Sequence, residues 1–248
     1  SADWSRWNTE TNSTFAELEH RFNADWSVKS TLTYTKANSN SQLFYVYGSP
    51  DRATGDGLFS YPSKYNSSNE QSLADISAKG KFTLGGRQHD LTFGASWSES
   101  KLHDVSYYGQ GIGTALPNGT AFDGSYPLPT FDASTDGSAY SDKRKNAFAA
   151  ARFNLADSTK LLAGVNTVKV DSKGAAYGVS KSTSQSDTTP YLGLVQDINR
   201  HVSAYASYAE IFNPQSDTDA NGQTLAAKKK KSLELGVKGE LFDGRLNL

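Results

Sequence analysis

The stretch that decides the fold is YASYAEIFNPQ (205–215), a polar loop, and then KSLELGVKGELFDGRL (231–246). In its second half Leu233, Leu235, Val237 and Leu241 alternate with Glu234, Gly236, Lys238 and Glu240. A period of two places the apolar set on one face of a strand and the charges on the other. Asp243-Gly244 then predicts a two-residue hairpin, since both residues tolerate the positive φ of a type I′ turn. The unit reads as strand, polar excursion, strand, tight turn, and it recurs along the chain.

Working outward, Ala16, Leu18 and Phe22 oppose Glu17, Glu19 and Arg21, and after a turn at 23–25 Trp26, Val28, Leu32 and Tyr34 oppose Ser27, Lys29, Thr31 and Thr33. Ala74, Ile76, Ala78 and Phe82 oppose Asp75, Ser77, Lys79 and Lys81. Gly85-Gly86 turns the chain into Leu91, Phe93, Ala95 and Trp97, and a strand over 146–154 carries Ala147, Ala149, Ala151 and Phe153 on one side. Strands over 159–170, with apolar residues on both faces, 190–197 and 202–212 complete a count of nine, with a tenth beginning after Gly244. Between them lie polar excursions over 37–69, 101–141, 171–189 and 213–227, read as loops, with a possible strand extension at the aromatic knot Phe44-Tyr45-Val46-Tyr47. Short turns fall at one end of this meander and long connections at the other, the sorting of an outer-membrane barrel and not of a Greek-key sandwich. Phe22, Trp26, Phe82 and Phe153 near the short turns, and Tyr34 and Trp97 near the long ones, fit two interfacial girdles. The charged faces, with Glu17, Arg21, Lys29, Lys79, Arg152, Glu234 and Lys238, suit a wide wet or plugged lumen and not a packed core. The fold class predicted is all-β, a segment of a large antiparallel transmembrane β-barrel.

Composition bounds the rest. The 248 residues carry a net charge of −1, which argues against nucleic acid as a partner. Mean hydropathy is −0.59, and no apolar run is long enough for a transmembrane helix, though barrels cross with half-polar strands. Cys and Met are both absent. The missing initiator and an end a few residues past a turn predict an internal segment of a longer protein. The four His (His20, His89, His103, His201) are not at metal-ligand spacing. Gly109, Gly111 and Gly113 lie in a loop without the flanking strand and helix of a phosphate site. No Gly-x-Ser-x-Gly elbow occurs. Nothing in the residues calls for an enzyme or a bound cofactor.

Tyr205, Tyr208, Phe212, Pro214 and Gln215, followed by Asp219-Ala220-Asn221-Gly222, resemble the TonB-dependent siderophore receptors. So do Lys231, Glu234, Gly236, Lys238-Gly239 and Asp243-Gly244-Arg245-Leu246-Asn247, while WSRWNTETNSTFAELEHRFNADWSVKSTLTY (4–34) resembles a mid-barrel hairpin of the pyoverdine, coprogen and ferrioxamine branch. The resemblance implies a 22-stranded barrel of the bacterial outer membrane, with short periplasmic turns and long extracellular loops. It implies import of a ferric siderophore, driven by TonB acting on a plug domain. This chain would supply barrel wall from residue 1 to 248, without plug, TonB-contact segment or final strands. Iron would arrive inside the chelate, so no protein metal ligands and no cofactor are expected. Lipopolysaccharide would be a neighbour, and phage or colicin are conceivable users of the loops. Tyr45, Tyr47, Tyr61, Tyr107, Tyr108 and Tyr126 are the candidate ligand contacts, because aromatics offer large area at small entropic cost. The run Lys228–Lys231 departs from the family pattern and is read as a solvated loop end. A passive porin, a receptor for haem, vitamin or glycan, and a soluble adhesive β protein are the alternatives.

Overall fold

The computed structural model describes residues 2–116, 125–132, 136–241 and 246–247. They form one antiparallel sheet. Its strands are β1 (Arg6–Arg21), β2 (Ser27–Gly48), β3 (Leu58–Leu84), β4 (Arg87–Gly109), β5 (Phe131–Asp132), β6 (Gly137–Asn154), β7 (Thr159–Ala176), β8 (Val179–Asp197), β9 (Val202–Asn213), β10 (Lys228–Leu241) and β11 (Leu246–Asn247). Each pairs with the next along the path β1-β2-β3-β4-β6-β7-β8-β9-β10-β11, and the two-residue β5 adds to the end of β4. The nine expected strands and the start of a tenth are this path. The hairpin residues Asp243, Gly244 and Arg245 lie outside the described residues, between the paired ends Leu241 and Leu246.

Local chemistry closes the short turns. Gly85 and Gly86 have φ of 58° and 75°, the paired positive values of a type I′ hairpin that matches the strand twist. At 22–26 the Asn23 Oδ1 accepts the N–H groups of Asp25 and Trp26, both at 2.8 Å. Asn199 Oδ1 repeats this with His201 at 2.8 Å and Val202 at 3.0 Å. A side-chain oxygen thus replaces the missing backbone partner at the bend.

The register carries the alternation across strands. Leu32, Ala74 and Trp97 form one row of partners, as do Val28, Ala78, Phe93, Ala149, Val165 and Pro190. The apolar residues of every strand therefore gather in one band on one face. In β7, whose facing the sequence leaves open, Leu161 and Ala163 join this band opposite Leu194 and Leu192, while Val168 turns to the other face and is buried. Among the described residues no element covers the band: Leu233 and Leu235 are 82% and 86% exposed. Buried apolar side chains among the described residues are few: Ala2, Phe44, Pro62, Ala78, Leu116 and Val168. A soluble domain hides its apolar face against a second layer, whereas here that face meets lipid.

The opposite face carries ion pairs at the level of the band. Lys29 meets Glu17 at 2.9 Å, Arg152 meets Asp90 at 2.7 Å and Lys160 meets Asp197 at 2.6 Å. This is the wet, lumenal side. At the short-turn border of the band Phe82 and Phe153 stack edge-on at 6.1 Å, with His89 between them. His89 Nδ1 accepts the Asn154 N–H at 2.9 Å, and its Nε2 donates to the Leu84 carbonyl at 3.0 Å. A histidine with no evident role in the sequence is thus a hydrogen-bonded member of the girdle.

Of the excursions read as loops, 37–69 and 171–189 are mostly strand, 101–141 begins and ends as strand, and 213–227 is a loop as expected. β3 runs for 27 residues, where a membrane-spanning strand needs about 9–11. Residues 37–48 and 58–69 are paired ladder that continues beyond the band. Over 38–42 and 66–69 both faces are polar, so alternation disappears. Asn40 donates to Asn66 at 2.5 Å and Ser68 to Asn38 at 3.0 Å across the strands. The connection between β7 and β8 shrinks to Tyr177-Gly178, with φ of 48° and 78°, so the long-connection end includes one tight hairpin.

A cation centred in the band should cost far more than one on the ion-pair face. Ile76→Arg should destabilise by about 2–4 kcal/mol. Thr31→Arg, opposite Glu17 and Asp75, should cost under about 1 kcal/mol. Urea unfolding in lipid vesicles measures both, and equal costs would remove the lipid-facing assignment.

Candidate functional site

The extended ladders of β2, β3 and β4 lift a group of tyrosines well above the apolar band, on the lumenal face. Tyr45 and Tyr61 are register partners, as are Tyr47 and Phe59. The rings of Tyr47 and Phe59 lie 5.7 Å apart, Tyr47 and Tyr61 6.2 Å, and Tyr61 and Tyr108 6.5 Å. Tyr61 and Tyr108 make edge-on contacts, the favoured arrangement of two aromatic quadrupoles. Tyr45, Tyr47, Tyr61 and Tyr108 therefore form one wall.

Tyr177 joins it from the β7–β8 hairpin, with its hydroxyl 3.0 Å from Ser106 Oγ. Its positive φ of 48° is a backbone conformation that costs a non-glycine residue about 1–2 kcal/mol. Tyr177 is not among the residues sequence reasoning singled out. The signal for it was the Tyr-Gly dipeptide, which read as part of a polar loop.

Burial holds the Tyr61 and Tyr108 hydroxyls above the usual phenol value, with Asp136 adding to the effect at Tyr108 and the neighbouring tyrosines at both. Both groups are neutral donors at physiological pH. From Thr33 through Tyr47 on β2 and from Leu73 back to Phe59 on β3, the lumenal positions hold no charged side chain. On β2 and β3 the lumenal face therefore has two zones, a charged one level with the lipid band and an aromatic and hydroxyl zone above it, while β4 and β6 bring Asp104, Asp142 and Arg144 to the same face.

The other two candidates go elsewhere. Tyr107 alternates to the outer face, where Lys64 Nζ lies 5.2 Å from its ring centroid. Tyr126 packs 4.4 Å from Phe44 and accepts the Trp4 indole N–H on its carbonyl at 2.8 Å. With Ala2, Leu116, Trp4 and Leu58 it belongs to a small hydrophobic core. This core straps the N-terminal segment and the 110–116 loop to the tops of β2 and β3, helped by the bond from Leu116 N to Leu58 O at 2.8 Å.

The motif residues around Tyr205 are largely structural. Tyr205 lies across Gly236, whose added Cβ would stand 2.6 Å from Tyr205 Cε1. Lys238 Nζ sits 4.9 Å from the same ring centroid. The arrangement recurs as Phe148 over Gly94, Tyr140 over Gly174 and Trp26 over Gly80. An aromatic filling the gap over a cross-strand glycine pins the register. Glu234 pairs with Ser207 on the lumenal face, Gly239 with Val202 and Phe212 with Lys229. Tyr208 donates to Glu210 on its own strand.

Gln215 N donates to Gln185 Oε1 at 2.9 Å, and Gln185 Nε2 to the Leu225 carbonyl at 2.9 Å. These bonds dock both ends of the 214–227 loop on β8. Asp219 Oδ1 caps the loop's tip by accepting from Asn221 N and Gln223 N, both at 2.9 Å. Pro214 closes one side of a cavity of about 460 Å³ over Leu73, Ser98, Arg144 and Val170. The Lys228–Lys231 run is strand, contrary to expectation, because alternate members find acids: Lys229 meets Asp187 at 2.9 Å and Lys231 meets Glu210 at 3.8 Å. Among the described residues no three His, Asp or Glu side chains gather in a way that could hold a metal ion.

A long antiparallel sheet with one lipid-facing band, one wet face and an elaborated mouth is the wall of an outer-membrane barrel. The chain belongs to the TonB dependent receptor-like β-barrel family, whose profile matches residues 1–248. It is 34% identical over 264 residues to the ferric-pyoverdine M114 receptor PbuA of Pseudomonas sp. strain M114, across 98% of this chain and 31% of that receptor. The crystal structure of the Pseudomonas aeruginosa outer-membrane ferripyoverdine receptor bound to ferripyoverdine matches with a TM-score of 0.88 at 28% identity, across 99% of this chain and 33% of that one. The structure of the FpvAI–pyocin S2 complex matches with a TM-score of 0.86 at 29% identity, across 99% of this chain and 32% of that one. The chain thus spans about a third of the length of these proteins.

Gly236→Val should destabilise the sheet by about 1–3 kcal/mol through overpacking against Tyr205. Combined with Tyr205→Ala, which vacates the space, the same substitution should cost much less. A double-mutant cycle from denaturant unfolding reads the difference, and simple additivity would contradict the packing role.

Proposed function

We propose that this chain supplies wall and mouth of an outer-membrane receptor that captures a ferric siderophore and imports it with TonB-transmitted energy. The observation that carries the reading is the uncharged tyrosine wall of Tyr45, Tyr47, Tyr61 and Tyr108 on the lumenal face, raised above the membrane. A chelate that wraps its own iron presents a bulky, polar and partly aromatic surface. Rings and neutral phenol donors fit such a surface, and charged side chains would have to be desolvated to meet it. Similarity to receptors named for pyoverdine supports the same cargo class.

The iron is cargo, held by the chelate, so the protein contributes no metal ligand, no resident cofactor and no catalytic step. The plug that TonB would pull, and the barrel strands needed for closure, belong in this proposal to sequence outside residues 1–248. The exposed mouth also offers a foothold for bacteriocins or phage, as the pyocin complex of a relative illustrates.

The test uses the receptor that carries this chain, with Tyr47→Ala, Tyr61→Ala and Tyr108→Ala variants. Quenching of protein fluorescence by a ferric pyoverdine-type chelate should give dissociation constants raised roughly tenfold per substitution. Affinity should be flat across neutral pH, because both perturbed phenols stay protonated there. Iron uptake should vanish in cells lacking TonB. Unchanged affinity in all three variants, or uptake that persists without TonB, would overturn the reading.

A further inference from the structure

Above the lipid-facing band β8 and β9 separate. Their ladder runs only from the Asp197–Ser203 pair up to Tyr191–Ala209. On its other side β8 stays paired with β7 up to Val179, and β9 stays paired with β10 up to Asn213 and Lys228. Pro190 stands at the fork, a residue with no N–H to give to a ladder. The fork falls where the wall leaves the membrane. Leu192 and Tyr208 are the uppermost outward-facing pair of this ladder, and above them water can replace a backbone partner that lipid would have required.

The freed top of the β9–β10 hairpin leans into the lumen. Lys229 alternates with Leu233 and Leu235, in a register without a bulge, and so belongs to the outer face of β10. Asp187 lies opposite Val168 and belongs to the lumenal face of β8. Yet Lys229 Nζ lies 2.9 Å from Asp187 Oδ1. An outer side chain reaches a lumenal one two strands away only where the top of the hairpin has swung inside the wall. Burial beneath it agrees: the lumenal residues Val168 and Thr189, beside this contact, are 4% and 8% exposed.

The same stretch of β8 holds the segment that follows. Lys181 donates to the Ser216 carbonyl, Gln185 Oε1 accepts from Gln215 N at 2.9 Å, and Gln185 Nε2 donates to the Leu225 carbonyl at 2.9 Å. Residues 217–225 form a small hairpin of their own, closed by Leu225 N to Asp217 O at 2.9 Å and Asp219 N to Gln223 O at 2.8 Å. At its base Pro214 roofs the cavity over Leu73, Ser98, Arg144 and Val170. Tyr61 and Tyr108 stand higher on the strands that carry Leu73 and Ser98, so the hairpin top crosses the lumen below the tyrosine wall. Three side chains of one strand, Lys181, Gln185 and Asp187, thus make every contact named here. Bonds between partly exposed groups are individually weak, and breaking them leaves the ladder below Tyr191 intact.

We propose that the top of the β9–β10 hairpin, residues 210–231, is a gate inside the lumen, latched to β8 by the Lys229–Asp187 pair and the Gln185 and Lys181 bonds. Latched, it bars the way below the tyrosine wall; released, it lets the captured chelate descend. Capture at the mouth and passage into the lumen are then separate steps, with the hinge at the fork beside Pro190. The inference deepens the reading that this lumen carries a ferric chelate and rests on it.

The test uses the receptor that carries this chain. In a Gln185→Cys/Gln215→Cys variant a short bis-methanethiosulfonate reagent ties the gate to β8, and a reductant frees it. The tied receptor should bind a ferric pyoverdine-type chelate within roughly twofold of wild type, while uptake by cells falls at least roughly tenfold and returns on reduction. Each single-cysteine variant carrying the reagent should import like wild type. Uptake unchanged in the tied receptor would overturn the gate. So would loss of chelate binding together with uptake, which would place the segment in the capture site and not below it.

A second measurement reads the latch without cargo. Spin labels at Asn221→Cys and Thr54→Cys report the distance from the gate's tip to the β2–β3 rim by double electron–electron resonance. Lys229→Gln should add a displaced distance population, and the charge-swapped Asp187→Lys/Lys229→Asp receptor should return to the wild-type distance. One unchanged distance in all three would overturn the latch. Absence of TonB-dependent uptake in wild-type cells would sink the import reading instead, and the distances would still report whether the hairpin is held by this pair.

Discussion

Backbone satisfaction in lipid is the constraint on which the structure depends. A peptide N–H or C=O that crosses hydrocarbon finds no water, so each strand must give its whole ladder to its neighbours. That requirement explains the unbroken antiparallel register from β1 to β11 and the tight, side-chain-capped bends at the short-turn end. It also explains why the side chains are free to differ so sharply between faces. The ladder carries the architecture, and the side chains only have to suit the medium on each side.

Two faces and two heights then divide the molecule. Level with the membrane, apolar side chains look outward and ion pairs such as Lys29–Glu17 and Arg152–Asp90 look inward. Above it the arrangement changes: the outer face becomes lysine-rich, and the lumenal face of β2 and β3 loses its charges and gains tyrosine. The same sheet serves both because successive residues point to opposite sides.

The reach of the strands was the feature least legible in the sequence. Alternation marks a strand only where its two sides meet different media. At Asn38–Asn40 and Asn66–Asn69 Asn and Ser fill both faces and the segment reads as loop, although its pairing is continuous. The Tyr177-Gly178 hairpin hid within a similarly polar stretch, DSKGAAYGVSKSTS (171–184). By contrast Phe82, Phe153, Trp26 and Val28 announced their face because lipid demands it. The lysine run at 228–231 read as a solvated terminus, since the acids that pair with it, Asp187 and Glu210, come from other strands.

The sequence by itself determined the strand count, the apolar face of nearly every strand, the end at which the short turns lie and the family, because each rests on local period or on contiguous motif residues. Tertiary structure decided which tyrosines share a wall. Tyr107 and Tyr108 are neighbours in sequence and lie on opposite faces, while Tyr47, Tyr61 and Tyr108 come together from three strands. It also decided that Tyr126 belongs to a core, that Tyr205 fills the space over Gly236, and that lysines from four strands line up above the lipid band. The physical reason is register: a one-residue slip exchanges the faces of a strand, and the pairing partners that set it are distant along the chain.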